Sequence, residues 1–125
     1  MTRIKESSTQ NENKNLLAAA CMEVYAANIV GGQWTLAICC HLLNGKLRFG
    51  ELRKRLPSIT ERMLALQLKK MEKNKLIQRT VFAEVPLRVE YELTESGKGL
   101  GPILKQLEKW GMAHMKMLNE VISEE

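Results

Sequence analysis

Aspartate is absent from this sequence of 125 residues, and all fourteen acidic side chains are glutamate. Aspartate is a usual ligand of Mg²⁺ and Ca²⁺ and a frequent member of catalytic carboxylate pairs, so its absence argues against phosphoryl transfer, calcium sensing and aspartic-dyad chemistry. Long hydrophobic runs are also lacking, and no apolar stretch approaches the roughly 20 residues that cross a bilayer. We therefore expect a soluble protein of one domain with no membrane partner.

Cysteine is scarce, with only Cys21, Cys39 and Cys40 in the chain. This odd count, in a chain whose first fifteen residues are polar and contain no signal-peptide core, favours a reducing, cytoplasmic location. The chain has no CxxC motif, and His41 and His114 lie far apart, so the ligand spacing of a zinc site is missing. No metal and no other cofactor is expected.

Positive charge exceeds negative charge by five, and the excess is concentrated in one part of the chain. Residues 46–92 carry twelve Lys and Arg against six Glu, whereas the segments on either side are close to neutral. A localised basic segment indicates a polyanion partner, because Lys and Arg supply most of the affinity for phosphate. A solvated surface of mixed charge explains the composition equally well.

The first half of the chain has helical patterns separated by clear stop signals. Residues 1–15 are rich in Ser, Asn, Gln and Lys, which predicts a disordered N-terminal arm ahead of a folded domain over 16–125. A helix is expected from residue 16 to the Gly31-Gly32 pair, and a nearly apolar one over 34–43. A short third helix is expected over 49–56, where Pro57 ends it.

The most informative pattern is an amphipathic helix predicted over residues 60–74. Leu64, Leu68 and Met71 recur at the spacing of one buried stripe. At 100° per residue, Arg62, Lys69 and Ala65 point away from that stripe. One side of this helix should therefore be core and the other a basic surface.

In the last third of the chain the spacing of the apolar residues changes twice, first to that of strands and then to that of a helix. Residues 76–82 and 88–93 are rich in strand-forming residues and are joined by five residues that include a proline, which predicts a hairpin with an exposed tip. A helix then follows over 102–122 with apolar residues on two sides: Ile103, Leu107, Trp110 and Met117 on one, and Leu104, Met115, Leu118 and Ile122 on the other. This is more apolar surface than one small core can cover, so a homodimer through the N- and C-terminal helices is expected.

Three helices followed by a basic hairpin are typical of a winged helix-turn-helix. The predicted fold class is therefore mainly α with a β-hairpin wing. In this plan the second helix of the turn enters the major groove of DNA, and the hairpin reaches the backbone or the minor groove. No Gly-rich phosphate loop opens a helix, so a nucleotide-binding enzyme core is not expected.

Five segments closely resemble the HxlR-type bacterial transcriptional regulators, which are relatives of the MarR regulators. The segments are 31–36 (GGQWTL), 47–52 (LRFGEL), 59–64 (ITERML), 84–94 (EVPLRVEYELT) and 110–111 (WG). The resemblance covers about residues 21–112. It implies a homodimeric, winged-helix, sequence-specific DNA-binding regulator, which in this family often controls a neighbouring gene for stress response or detoxification.

The resemblance also assigns DNA-binding roles along this chain. The recognition helix falls on residues 60–73, and its first turn lies nearest the bases. Arg62 can present two donors to a guanine edge, and an alanine methyl can touch a thymine methyl. The residues expected to contact DNA are Ser58, Thr60, Glu61 and Arg62 at the helix start, Ala65, Gln67 and Lys69 along it, and Arg79 and Arg88 on the wing.

The same resemblance places Cys21 where several family members carry an electrophile-sensing cysteine. The competing interpretation is a half-buried structural thiol, because a helix that begins before Cys21 would leave it in mid-helix, where the macrodipole has little effect. Cys39 and Cys40 are expected to pack in the core. Trp34 and Trp110 are expected to anchor the core and the dimer interface, or to line a small-molecule pocket beside the dimer helices.

The leading hypothesis is a dimeric repressor that binds a pseudo-palindromic operator in double-stranded DNA. A thiol-reactive electrophile or a small ligand would lower its affinity for that operator. Two alternatives remain open. One is a winged-helix module for protein contacts that has no DNA target. The other, more remote, is a thiol oxidoreductase, for which the adjacent Cys39 and Cys40 point about 100° apart on a helix.

Overall fold

A computed structural model describes the backbone of residues 21–124 and the side chains of residues 21–120. The predicted N-terminal arm and the start of the predicted first helix lie outside the described residues. The elements in chain order are α1 (Met22–Val30), α2 (Thr35–Leu42), β1 (Leu47–Arg48), α3 (Phe49–Arg55), α4 (Glu61–Lys73), β2 (Ile77–Phe82), β3 (Arg88–Leu93), α5 (Glu95–Lys98) and α6 (Gly101–Glu124).

The first described helix begins later than the sequence predicts. Cys21 is extended, with φ −147° and ψ 110°, and occupies the N-cap position of α1. Its carbonyl oxygen accepts from the backbone N–H of Val24 at 3.1 Å and of Tyr25 at 3.2 Å, which closes the first helical turn. The prediction of one helix running from residue 16 through this point is therefore wrong. The expected stop at Gly31 is confirmed, because Gly31 is the C-cap of α1.

The core is built where α2, α3 and α4 pack over the sheet. Each helix contributes its apolar stripe, and the fully buried side chains include Ile38, Leu52, Leu64 and Leu68. The amphipathic pattern predicted for α4 is confirmed, since Leu64, Leu68 and Met71 are its three buried residues. The opposite side of α4 is left to solvent, which is what a surface that binds another molecule requires.

The start of α4 is fixed by a side-chain cap. Thr60 adopts an extended conformation, and its hydroxyl accepts a hydrogen bond from the backbone N–H of Met63 at 3.1 Å. Ile59, in the turn just before it, is buried and anchors this turn to the core. A capped and anchored N-terminus holds the first turn of α4 in one orientation, and a threonine cap of this kind contributes about 1 kcal/mol.

The sheet has three strands, one more than the sequence predicts. The predicted hairpin is confirmed, with β2 and β3 antiparallel and Ile77 opposite Leu93. The additional strand β1 has two residues and pairs with β3, so that Leu47 lies opposite Tyr91 and the strand order is β1-β3-β2. A two-residue strand has no periodicity to read, which is why the sequence pattern misses it.

The C-terminal helix α6 has 24 residues, and the other described residues bury little of its apolar surface. Of the predicted apolar positions whose side chains are described, only Leu104 is buried, and Trp110 is 66% exposed. Among residues 21–124, no helix is both long enough and apolar enough to cross a membrane. The helix order, the turn between α3 and α4 and the hairpin confirm the predicted winged helix-turn-helix fold.

Candidate nucleic-acid interface

The solvent side of α4 carries the positive charge that the sequence places there. Arg62, Ala65 and Lys69 are all exposed, one or two helical turns apart on the side opposite the buried stripe. Among the described residues, neither Arg62 nor Lys69 has a carboxylate partner. A cation without an internal partner keeps its donors and its full charge available to an external anion.

The beginning of α4 is held by an ion pair across the helix-turn-helix. Arg53, in the last turn of α3, places Nη1 2.6 Å from Oε1 of Glu61, the first residue of α4. Both side chains are exposed, so the pair contributes little to folding stability. Its structural effect is to restrict the Glu61 carboxylate to one place. Ser58 and Thr60 are exposed beside it, and the Thr60 hydroxyl is engaged in the cap.

Gln67 lies at the edge of this surface and is turned inward. The sequence places its side chain toward the wall of a DNA groove, but in the structure its Nε2 donates to the hydroxyl of the buried Thr35 at 3.4 Å. Gln67 falls about 60° from Leu64 around the helix, next to the buried stripe, and this explains its contact with α2. Gln67 is half-buried, and its predicted contact with the wall of a DNA groove stays a prediction.

The hairpin adds a second cation beside α4. Arg79 on β2 and Lys69 on α4 line the same cleft, together with Ala65, Glu72 and Tyr91. Arg79 is exposed and has no carboxylate partner among the described residues. The surface formed by Arg62, Ala65, Lys69 and Arg79, called the α4 basic surface below, therefore extends from the helix onto the sheet.

Arg88, which is predicted to contact DNA from the wing, is engaged by two neighbours within the hairpin. Its guanidinium pairs with Oε1 of Glu84, with Nη2 at 3.0 Å, and stacks over the Phe82 ring, with Cζ 3.9 Å from the centroid. The side chain is half-buried, and its Nε is buried without a hydrogen-bond partner. Arg88 is thus paired with a carboxylate and covered on one face by an aromatic ring, both within the hairpin.

The three cysteines have different surroundings. Cys21 is half-buried and donates its thiol hydrogen to Oε2 of Glu23 at 3.1 Å. Cys39 is buried, and this burial raises the pKa of its thiol to about 11, with a smaller contribution from Cys40. The prediction that both cysteines of α2 pack in the core is right for Cys39 and wrong for Cys40, which is exposed. Adjacent helix positions differ by about 100°, so only one of them faces inward.

The two tryptophans also differ in burial. Trp34 packs partly buried against the core. Trp110 lies on the surface of α6 and stacks on His114, with ring centroids 4.8 Å apart and planes 13° apart. Within residues 21–124, no three His, Cys or Glu side chains gather as they do around a metal ion. Trp110 and its exposed apolar neighbours on α6 form a partly aromatic surface that the other described residues leave uncovered.

A basic helix displayed by a helix-turn-helix, with a hairpin beside it, defines a winged helix-turn-helix protein. The family model described as HxlR-like helix-turn-helix matches residues 29–119, which is well over half of the chain. The chain belongs to this HxlR-like helix-turn-helix family, as the sequence resemblance predicts.

Known relatives extend the similarity over most of the chain. An uncharacterized HTH-type transcriptional regulator of Methanothermobacter thermautotrophicus is 50% identical over 91 residues, which cover 73% of this chain and 70% of the relative. The uncharacterized HTH-type transcriptional regulator YybR of Bacillus subtilis is 39% identical over 110 residues, covering 86% and 88%. The prediction of a transcriptional regulator is confirmed at the level of the family.

Solved structures agree with this assignment. The redox regulator HypR in its reduced form superposes with a TM-score of 0.76 at 39% identity, over 80% of this chain and 99% of that chain. Its oxidized form superposes with a TM-score of 0.70 at 42% identity, over 74% and 96%.

Two contacts beside the α4 basic surface are not visible in the sequence pattern. Arg53 and Glu61 lie on different helices eight residues apart, and nothing in their spacing predicts that they meet. Residue type alone predicts Arg88 as a cation of the wing, and it does not reveal the contact with Phe82. The register of β2 on β3, which puts Phe82 directly opposite Arg88, is the signal that could have predicted its stacking.

Proposed function

We propose that this chain regulates transcription by binding a specific DNA sequence through the α4 basic surface. The observation that carries the proposal is that Arg62, Lys69 and Arg79 are exposed and unpaired among the described residues, whereas Arg53 and Arg88 are held by carboxylates. Exposed, unpaired cations on a helix that fits the major groove suit phosphate contacts and the recognition of a guanine edge.

The proposed active form is a homodimer that reads a pseudo-palindrome. Six exposed apolar residues of α6 support it: Ile103, Leu107, Trp110, Met115, Met117 and Leu118. An apolar stripe along a helix about 36 Å long is buried most simply by the same stripe of a second copy. A two-fold dimer would place its two α4 helices in successive major grooves, roughly 34 Å apart.

We further propose that the regulator is a repressor that a thiol-reactive electrophile or an oxidant releases from DNA. HypR, which is similar to this chain, is a redox regulator with a reduced and an oxidized form. Cys21 supports the idea for this chain, because its thiol is half-buried, not enclosed, and it stands at the N-cap of α1, where a modification would meet the start of the helix. A redox change at this point would act on the start of α1, whose later residues Ile29 and Val30 line a cleft with the end of α4.

The DNA-binding proposal is tested by selecting bound duplexes from a random-sequence pool. We expect the parent protein to enrich a two-fold symmetric sequence. Arg62→Ala should relax the preference at one base position in each half-site, and Lys69→Ala should weaken binding to all sequences about equally. Lys109→Ala, on the polar side of α6, is the matched control and should behave like the parent. A parent that enriches no sequence would refute the proposal.

The redox proposal is tested by measuring the release of DNA after treatment with a quinone or hypochlorite. Cys21→Ser should stay bound, whereas Cys40→Ser, which removes the exposed thiol of α2, should release DNA like the parent. Release of the Cys21→Ser protein would remove Cys21 as the sensor. No observation favours the alternative of a protein-interaction module without a DNA target.

A further inference from the structure

The apolar stripe of α6 contains a titratable side chain, His114. At 100° per residue, His114 falls within about 40° of both Leu107 and Trp110 around the helix. The residues three and four positions away from it are all uncharged: Trp110, Gly111, Met117 and Leu118. The imidazole therefore lies inside the stripe that the proposed homodimer would cover, and not at its polar edge.

His114 is stacked on the indole of Trp110. The ring centroids are 4.8 Å apart and the ring planes 13° apart, and His114 is half-buried while Trp110 is exposed. A cation over the face of an indole is attracted by the electrons of the ring. On a single chain, the indole and the surrounding water can therefore both stabilise a protonated imidazole.

No carboxylate among the described residues is paired with His114. Helix α2, which packs against α6, carries no carboxylate, and the one carboxylate of α1, Glu23, accepts from the Cys21 thiol. The nearest charged side chains along α6 point about 120° or more away from His114 around the helix: Glu108, Lys109, Lys116 and Glu120. A positive charge on His114 would thus have no compensating charge in the stripe.

Pairing of two α6 helices would move this imidazole out of water. Each copy brings its own His114, so a two-fold dimer places two imidazoles in the shared apolar surface. Burying an unpaired charge costs far more free energy than burying the neutral form of the same group. The dimer should therefore bind fewer protons than two separate chains, and by linkage a fall in pH shifts the equilibrium toward the separate chains.

We propose that His114 makes the homodimer sensitive to acid, because neutral imidazoles allow the two α6 stripes to pair and protonated imidazoles separate them. The inference rests on the proposed homodimer and adds a second signal, the proton, which acts independently of Cys21. A histidine in water gains its proton between about pH 7.5 and pH 5.5, and His41 and His114 are the only histidines in the sequence. A dimer that dissociates loses the avidity of two linked half-sites, so acid should also lower the affinity for an operator.

Analytical ultracentrifugation at pH 7.5, 6.5 and 5.5, at constant ionic strength, measures the dissociation constant of the dimer. We expect the constant of the parent to rise by about 10- to 100-fold from the highest to the lowest pH, since up to two protons are taken up. His114→Phe keeps a ring on Trp110 and His114→Gln keeps a polar group, but neither variant titrates, so both constants should change less than about twofold. His41→Gln is the matched control and should show the same rise as the parent.

A dissociation constant of the parent that stays unchanged over this range would overturn the inference, and so would an equal rise in His114→Phe and His114→Gln. A rise that His41→Gln abolishes would assign the effect to the other histidine. Circular dichroism at each pH follows the fold, and loss of helix in the parent at pH 5.5 would mean that acid acts on folding instead. A parent that is monomeric at pH 7.5 removes the proposed homodimer and the inference together, whereas a dimer that does not respond to pH removes only the role of His114.

Discussion

Arg62 and Arg88 carry the same charge but have different surroundings. Arg62 is exposed on α4 without a carboxylate partner among the described residues, whereas Arg88 is paired with Glu84 and stacked on Phe82. The sequence predicts both as DNA contacts, because residue type alone does not report a neighbour on another strand. At this scale, tertiary contacts decide which of the many cations remain available for a partner.

The buried thiol of Cys39 gives a prediction about stability at high pH. Its pKa rises from 9.0 to about 11 on folding, because burial disfavours the thiolate. The stability that the buried, neutral thiol contributes is therefore fully present below pH 9 and is lost as the pH rises through 11. The free energy of unfolding should fall by up to about 2 kcal/mol over this range.

Chemical denaturation at pH 8 and pH 11 measures this effect. Tyrosine and lysine also titrate in this range. The informative quantity is therefore the loss of unfolding free energy in the parent compared with the loss in Cys39→Ala, which lacks the thiol. We expect the variant to lose less stability than the parent over the interval. Equal losses in the two proteins would mean that Cys39 titrates alike in the folded and unfolded states.

Gly97 in α5 allows close contact between this short helix and the sheet. A Cβ at this position would meet the carbonyl oxygen of Leu76 well inside van der Waals contact and would press on the Leu93 side chain. Since a backbone atom cannot yield as a flexible side chain does, Gly97→Ala should destabilise the fold by about 1–3 kcal/mol. Gly50→Ala is the matched control, because nothing lies within 4 Å of a Cβ there. Thermal denaturation of the two variants compares them, and equal melting temperatures would contradict the prediction.

At the scale of the elements, the long periodic segments were predictable and the short ones were not. The buried stripe of α4 and the two strands of the hairpin follow from spacing, and both are found. The strand β1 and the helix α5 have two and four residues, too few to show a period. The start of α1 was misjudged because the alanines before Cys21 favour helix in isolation, whereas the structure begins the helix at Met22.

The ion pair between α3 and α4 gives a prediction at this scale. If Arg53 holds Glu61 in place at the start of α4, removing Arg53 leaves a mobile carboxylate facing DNA phosphates. Arg53→Ala should therefore weaken DNA binding more in the parent than in a Glu61→Gln background, with a coupling of about 1 kcal/mol, or roughly fivefold. A double-mutant cycle on the dissociation constant measures the coupling. Purely additive effects would mean that the pair has no role in binding.

At the scale of the whole molecule, the two ends of α6 differ in how much of their apolar surface is buried. Its beginning packs into the domain through Leu104, and the rest leaves Leu107, Trp110 and Leu118 exposed. The sequence predicts this surplus because it shows apolar residues on more sides of the helix than one core can cover. It cannot show how a second copy would sit on them, since that depends on surfaces from two chains.

The proposed homodimer predicts that a charge placed in the apolar surface of α6 prevents association. Leu118→Glu would place a charge in the shared apolar surface, so it should shift the protein from dimer to monomer in analytical ultracentrifugation at micromolar concentration. Lys116→Glu, on the polar side of the same helix, is the matched control and should remain a dimer. A Leu118→Glu protein with the mass of a dimer would place the interface elsewhere.

The central claim is that the α4 basic surface binds duplex DNA, and the salt dependence of that binding tests it most directly. The measurement compares the parent with Arg62→Ala/Lys69→Ala/Arg79→Ala on one duplex from low to physiological salt. We predict that the parent loses affinity steeply as salt rises and that the slope of log Kd against log salt falls by about 2–3 in the triple variant, or roughly 0.9 for each phosphate contact removed. Equal slopes in the two proteins, or no binding of the parent at low salt, would contradict the claim.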